Sequence, residues 1–539
     1  MNHFVDLGPI EYKIETRDVS IPLADIPQDI SVFKECITYR DEEIIKVYDR
    51  KCDHNGGKLC LNEGKISCPM HNWEFNPQTG SYNNVKLKKE EINFDINDDN
   101  NLTFQTKKNI LELPSSNIDH DLEITFFSHA CILFKAKDFT FATDPWIEGF
   151  AFASGWWVNS LPPVDWVEKL NSLDFIYISH NHPDHLNEFT LDKISRDMKF
   201  IVPNFENKSV INMLNKMGFM DVHTLDMQNY FNYEGTDLNL AILPSGDFRD
   251  DSGLYFSYGN FSFLSSVDSN DLNFSRYPKD ISVYAASFAG GASGYPLCFD
   301  TITADKKKEI VKRNTNSTKA TVRSVIRLIN PEYFLPYAGF FQENAERDNQ
   351  IKILNIKNST SDYKILPKAC KLLDVMENDI FNFKGSNLIK NNILPREKFF
   401  KENPEELYKK EFSKFNYNQD FIFEYFSKSN YKDDLILYLS LTDSHFNETF
   451  NMIKVDFTKS KIEISFKEFN WFEIKDAHST EDPNILHIKV RQDSFLWVVN
   501  KKMPWEDLSI GFQCRIDRSP DIYNVDFWYY FTNVYITKP

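Results

Sequence analysis

Two short stretches concentrate the side chains that hold metals. Residues 52–71 run CDHNGGKLCLNEGKISCPMH, so Cys52 stands two places before His54 and Cys68 three before His71. Two mixed pairs on two loops can grip one [2Fe–2S] cluster, with Cys52 and Cys68 on one iron and His54 and His71 on the other. Neutral imidazoles raise the potential of such a cluster above that of an all-thiolate one, so it accepts electrons readily. A structural zinc site is the alternative for two Cys and two His, although zinc fingers usually separate the Cys pair from the His pair. The second stretch, Ser179-His180-Asn181-His182-Pro183-Asp184-His185, follows the apolar run DFIYIS. Three imidazoles and a carboxylate within six residues, at the end of a strand, point into one cleft and suit zinc or iron.

The first pattern has the order of a Rieske centre, with Trp73 and a turn at 76–80 behind it. Met70 stands where respiratory Rieske proteins carry the second Cys of a bridging disulfide, so Cys60 is expected as a small buried apolar residue. The second pattern resembles the metal signature of the metallo-β-lactamase fold, and SHACILF and FATDPW resemble that fold's opening strands. Further ligands are expected downstream, where Asp247, Asp268 and Ala338 occupy the relevant segments and the spare His223 is expected at the surface or in packing. The expected centre is a single Fe(II) held by His180, His182 and one acid, with Asp247 preferred and Asp268 nearby. Two His and one carboxylate on one face leave positions open for O2. Asp184 and His185 then serve as outer groups or a proton path. The competing reading is a relic site that binds no metal, because outer ligands have been replaced.

The elements around these motifs change character along the chain. Residues 1–112 read as short strands separated by Asn-, Asp- and Gly-rich turns, an all-β domain. LPSSNIDHD is a linker. From 120 to 345, apolar strands alternate with helical stretches at 164–173, 186–197, 208–217 and 319–329, as in a layered αββα domain. Residues 346–539 read as a third, α+β domain with four strand candidates, LILYLSL, NMIKVDF, KIEISF and ILHIKVR. The whole is a multidomain α+β chain of 539 residues, 42% apolar, with 47 Phe, which is enough for several cores. Its 61 Lys and Arg against 79 Asp and Glu give a net charge of −18, which argues against a nucleic-acid partner. No apolar run has the length of a membrane span, the first residues lack signal-peptide character, and eight Cys make no disulfide framework; the expected compartment is the cytoplasm.

The combination resembles the cytidine monophosphate-N-acetylneuraminic acid hydroxylase family. The resemblance is carried by KCDHNGG, CPMHNW, DPWIEGFAFASGWW, PPVDW, FIYISHNHPDHL, SFAGGASGYP, PYAGFF and IGFQCRIDRSPDIYNVDFW, and so runs through nearly the whole chain. It departs at Asp247, near which the family carries a His, and in the divergent stretch 420–500. It implies a monooxygenase that converts the N-acetyl group of CMP-sialic acid to N-glycolyl, with O2 and a one-electron donor, cytochrome b5 or a ferredoxin with its reductase. A Rieske cluster supplies single electrons but has no open iron position, so the His/Asp cluster must be the oxygen site. Gly290, Gly291 and Ser293 lie in a glycine-rich loop suited to an anion, with Arg515 and Arg518 as charge partners and Trp156-Trp157 as a stacking or core pair. The alternatives are a lactonase- or phosphodiesterase-type metallohydrolase with a Rieske redox sensor, and a non-enzymatic electron carrier.

Overall fold

The computed structural model describes residues 3–53, 59–62, 64–68, 73–111, 116–245, 249–269, 278–479 and 481–535. His54, His71 and Asp247, all expected as ligands, lie outside the described residues.

The N-terminal unit is built of small antiparallel sheets. Tyr12–Pro22 pairs along its length with Asn101–Leu111, and a four-strand meander covers Cys60–Asn62, Lys65–Ser67, Glu74–Asn76 and Ser81–Tyr82. Strands this short cannot bury much alone. Their shared core is Ile37, Tyr48, Leu59, Trp73, Phe75 and Tyr82, packed around Cys52 and Cys68.

The central unit is a sandwich of two sheets, each of eight strands among the described residues. One runs in the order 4–9, 229–233, 238–244, 252–258, 261–265, 283–287, 333–337, 371–372, and the other 222–225, 200–203, 175–177, 140–143, 131–135, 121–128, 380–384, 387–392. Ser252–Tyr258 and Tyr333–Tyr337 are buried at every residue, as strands covered on both faces must be. The helix Ala304–Ile329 covers one outer face with Ile310, Val322, Val325, Ile326 and Ile329, a three-and-four spacing that makes one stripe. Trp166–Asn171 and Ser209–Lys216 cover the other face. Sheets in the middle and helices outside match the expected αββα arrangement.

The sheets cross the expected domain boundaries. Phe4–Pro9 pairs with Asn229–Tyr233 in the central sandwich, and Ile380–Lys384 pairs with Asp121–Ser128. Such strands owe their place to partners more than 200 residues away, which local composition does not encode.

The C-terminal unit has a five-stranded sheet ordered 463–465, 449–456, 435–442, 484–491, 514–519. Its core is continuous with Trp146, Phe150, Phe152 and Trp156 of the central unit. Backbone meets backbone there: a Cβ on Gly155 would lie 2.2 Å from the Gly511 carbonyl oxygen, and one on Gly511 would lie 2.0 Å from that of Phe152. Both positions need glycine for that approach.

Candidate metal centre and its cavity

The site forms where strands Thr140–Thr143 and Phe175–Tyr177 run side by side in parallel and stop. Parallel strands leave a crevice at their carboxyl ends, where side chains from successive loops converge. The segment after Tyr177 is pinned there, because the Ser179 backbone N–H donates to Asp144 Oδ1 (2.7 Å) and its hydroxyl to Asp144 Oδ2 (2.9 Å). The His185 and Leu186 N–H groups then close a turn on the His182 carbonyl at 3.0 and 2.8 Å. His180, His182, Asp184 and His185 are thereby buried together.

His180 Nε2 and His182 Nδ1 lie 2.9 Å apart, and Asp268 Oδ2 is 4.0 Å from His180 Nε2. Two imidazoles present the far nitrogen to a carboxylate, His182 Nε2 to Glu506 Oε2 (3.1 Å) and His185 Nδ1 to Asp144 Oδ2 (3.0 Å), while His180 Nδ1 bonds the Ser179 hydroxyl (2.9 Å) with Asp251 Oδ1 3.0 Å away. A carboxylate on the far nitrogen fixes the tautomer and leaves the near nitrogen a lone pair. Two lone pairs facing at this distance repel unless a proton or a cation lies between them. The residues therefore fit a metal, with His180, His182 and Asp268 as the donor set.

The electrostatics agree with that geometry. Burial, with His185 and His182 alongside, pushes the His180 imidazole well below its usual range. Burial also pulls His182 down, but the hydrogen bond and charge of Glu506 outweigh it and hold the group up at about 9. Without a metal, the proton between the two rings thus sits on His182, and a metal binding there would displace it. Burial raises the Asp268 carboxyl, but His185, then His182, bring it down to about 2, so it stays ionised. Asp507, next to Glu506, is pushed well above the carboxylate range by burial.

Several of these groups were not singled out from the sequence. His129 and Asp144 lie inside SHACILF and FATDPW, which read only as fold markers. Glu506 sits 324 residues beyond its partner His182. Asp268, expected nearby, is the carboxylate on the Nε2 side of His180, the side that faces His182. Asp251 lies on the outer side of His180, while Asp250 accepts hydrogen bonds from Tyr529 and Asn207. Asp184 and His185 face His129 and Asp268. His223 is exposed beside Asp221, in keeping with a surface role.

A cavity opens directly on this centre. One lobe, of about 120 Å³, lies among Phe152, Trp156, His182, Asp268, Gly290 and Gly291. A second, of about 230 Å³, continues past His182, Ser293, Glu506, Arg518, Tyr523 and Trp73. Arg249 lines both. The expected Gly290, Gly291 and Ser293 thus line the cavity, with Gly290 and Gly291 at φ +71° and +80° and Asn355 Oδ1 only 2.7 Å from where a Gly291 Cβ would be. Arg515 does not line it; its guanidinium lies over Phe446 at 4.1 Å and beside Asp300 at 3.4 Å. Alternation along Cys514–Ser519 explains this: Ile516 and Arg518 face the cavity, so Arg515 faces away. Trp156 stacks on Phe341 at 3.6 Å and forms cavity wall, whereas Trp157 is core and donates to the Ser154 carbonyl.

Trp73 brings the cysteine-bearing unit to the same cavity. The Cys68 N–H donates to the Trp73 carbonyl (2.8 Å), so this residue is part of the loop that carries Cys68. The Asp53 N–H donates to the Tyr82 hydroxyl, which donates back to Asp53, holding the loop of Cys52. The Tyr523 N–H donates to the Asn84 carbonyl at 2.6 Å, and its ring centre is 6.4 Å from that of Trp73. None of the eight cysteines is in a disulfide; Cys60 is half-buried, with Arg50 Nη2 at 3.7 Å from its sulfur.

Comparison with known proteins places these features among relatives. Residues 15–96 match the Rieske [2Fe–2S] domain and residues 123–264 the β-lactamase superfamily domain. The chain is 29% identical to the cytidine monophosphate-N-acetylneuraminic acid hydroxylase of Xenopus laevis, over 92% of this chain and 88% of that one. It is 28% identical to the hydroxylase of that name from Mus musculus, over 94% of each. Among solved structures, CmlA, a diiron β-hydroxylase from Streptomyces venezuelae, is 17% identical, with a TM-score of 0.31 over 50% of this chain and 55% of that one. No described helix is long and apolar enough to cross a membrane.

Proposed function

We propose that this chain, which joins a Rieske [2Fe–2S] domain to a β-lactamase superfamily domain, is an iron-dependent monooxygenase that hydroxylates the N-acetyl group of CMP-N-acetylneuraminate to N-glycolyl. The observation that carries the reading is a pair of adjoining cavities that share His182, Arg249 and Ser293 as walls, one lined by Asp268 and the other by Trp73, from the Cys68 loop. A hydroxylation needs both ends: iron at the His/Asp position supplies oxygen activation, and the cluster supplies electrons one at a time. Cys52 and Cys68, with His54 and His71, are the proposed cluster ligands. His180, His182 and Asp268 are the proposed iron ligands.

The chain's own groups do the positioning. The Ser179 hydroxyl and Glu506 aim the two imidazoles, and Glu506 comes from the C-terminal unit, so that unit completes the centre. Gly290 and Gly291 open the wall of the lobe nearest the metal, where any side chain at Gly291 would collide with Asn355. Arg249 and Arg518 present guanidinium groups suited to a phosphate and a carboxylate, both of which a CMP-sugar acid carries. Phe152 and Trp156 form an apolar wall that keeps water from the methyl group to be oxidised. The donor is a one-electron carrier of the cytochrome b5 or ferredoxin type.

The metallohydrolase reading has the ring of donors in its favour, because such sites also hydrolyse esters and lactones. Incubation with CMP-N-acetylneuraminate, a reduced one-electron donor and isotopically labelled O2 separates the two. Label in an N-glycolyl product is the expected result. Oxygen-independent hydrolysis with oxygen taken from water refutes the proposal.

A further inference from the structure

A third cavity, of about 190 Å³, adjoins the two that open on the metal centre. It lies at the end of the C-terminal sheet where the parallel strands Leu435–Thr442 and Asn484–Arg491 begin and Cys514–Ser519 stops. Leu435, Ile485 and Leu486 line it and are buried, so its wall is largely apolar. Ile522 and Tyr523, from the loop after Ser519, line it as well, and the Tyr523 N–H is fastened to the Asn84 carbonyl of the N-terminal unit. Lys86 and Leu87 of that unit complete the wall.

The three cavities are joined through shared residues. The metal lobe and the second cavity share His182 and Arg249, and the second and third share Arg518, Tyr523 and Trp528. A guanidinium therefore stands at each junction. The Arg518 side chain is 15% exposed, is held by Asp521 at 2.7 Å, and has its guanidinium carbon 5.4 Å from the centre of the Phe299 ring. No single cavity of the three reaches the roughly 300 Å³ that takes a drug-sized ligand, but the joined series does.

A CMP-sugar acid has the same order of parts: a pyrimidine nucleoside, a phosphate, and a sugar carrying a carboxylate and the N-acetyl group. Its phosphate separates two bulky ends, as Arg518 separates two chambers. Phosphate and carboxylate share one sugar carbon, and Arg249 and Arg518 both line the middle cavity, so each anion meets one guanidinium. The third cavity also offers acceptors to a base. Asn484 donates its Nδ2 to the Asp434 carbonyl at 3.0 Å, which leaves its amide oxygen to accept, and the Asp526 carboxylate is a second acceptor. The 4-amino group of cytosine donates to such oxygens, whereas uracil presents a carbonyl there, which a carboxylate repels.

We propose that the third cavity is the nucleoside subsite: it takes the cytosine and ribose, Arg518 takes the phosphate, and the sugar reaches through the second cavity to the metal. The inference rests on the reading of the substrate as a CMP-sugar acid. Asn484 and Asp526 then select the base, and the bound nucleotide lies against Lys86 and Trp73 of the unit that carries the cluster.

The test measures equilibrium binding of CMP, UMP and cytidine to the cluster-containing protein by titration calorimetry. The wild type is expected to bind CMP about 10-fold more tightly than either UMP or cytidine, the value of one hydrogen bond to a charged group. Ile522→Trp fills the cavity with an indole and is expected to weaken CMP and cytidine alike, by about 10-fold or more, with the visible absorption of the cluster unchanged. Arg518→Gln is expected to weaken CMP and leave cytidine as it was, and Asp526→Ala to bring CMP and UMP towards equal affinity. CMP affinity that survives Ile522→Trp overturns the proposal, and so does a wild type that fails to bind CMP or to tell it from UMP. If Ile522→Trp fails to fold, Arg518→Gln and Asp526→Ala decide. Failure of the monooxygenase reading looks different: the pattern of CMP binding holds, and no labelled N-glycolyl product forms. Labelled product with CMP affinity unmoved in all three variants refutes the subsite alone.

Discussion

Glu506 gives the sharpest test of how the centre is assembled. It is the only group from the C-terminal unit, among the described residues, within hydrogen-bond distance of a proposed metal ligand, at 3.1 Å from His182 Nε2. Removing it by Glu506→Ala frees the imidazole to rotate and to change tautomer. A hydrogen bond to a charged group contributes about 1.5–3 kcal/mol. The Glu506 side chain keeps 21% of its exposure, so solvent takes part of that and the lower half of the range applies. About 1.5–2 kcal/mol is roughly a 10- to 30-fold loss in metal affinity, within the range for groups that orient ligands. Glu506→Gln keeps an acceptor but loses the charge, and is expected to lose about half as much free energy. The assay is competition for Mn(II) against a chelator of known affinity, with cluster absorbance as the fold control. Unchanged affinity in Glu506→Ala, with an intact cluster, would refute the claim that the C-terminal unit orients His182.

Other outcomes follow from the surrounding structure. Asp348→Ala leaves the Arg491 guanidinium, 2% exposed and 2.5 Å from that carboxylate, with the neutral acceptors Ser444 O, Gln513 Oε1 and Arg347 O, and is expected to cost about 3–5 kcal/mol in urea unfolding followed by tryptophan fluorescence; a near-neutral result would mean that these neutral acceptors suffice to hold the charge. Gly511→Ala drives a methyl group into the Phe152 carbonyl, costing about 1–3 kcal/mol or more, and is expected to weaken Mn(II) binding because it displaces the short helix that starts at Glu506; unchanged binding and melting would contradict the close approach. His487, half-buried against Trp471 with its Nε2 2.9 Å from the Ser440 hydroxyl, is pushed by burial from 6.5 down to about 4. Its folded value is depressed, so the stability present above pH 6.5 is lost as pH falls towards 4, by about 3 kcal/mol at most. His487→Asn is expected to flatten stability across that window, and an unaltered pH profile would rule out this origin.

The contiguous parts of the site were legible in the sequence, and the assembled parts were not. The paired Cys and His residues and the HNHPDH run declare themselves because their spacing is short, and the regular strand–helix alternation from 120 to 345 reveals the sandwich. His129, Asp144, Asp251 and Glu506 are single polar residues in otherwise unremarkable segments. Each gains its meaning from a partner brought close by the fold, up to 324 positions away. Asp268 shows the same limit: it follows a strand that ends near the cleft, and only the path of the loop brings its carboxylate to His180. The edge strands at 4–9 and 380–392 were assigned to neighbouring domains because pairing partners leave no local trace.

The strand Phe4–Pro9 changes how the cluster-bearing unit should be pictured. The chain begins in the central sandwich, leaves it to build the Rieske unit, and re-enters at Asp121–Ser128, so that unit is an insertion tied at both ends. The bridge between Val85 and Tyr523 adds a third tie. A domain on one flexible leash explores a volume set by its linker, whereas this one is paired to the rest of the chain at Phe4–Pro9 and again at Val85. Electrons therefore cross a fixed gap, and the donor must travel to the cluster. Solvent viscosity will then slow the encounter with the donor while leaving the internal transfer untouched, and a viscosity-dependent internal step would show that the unit swings after all.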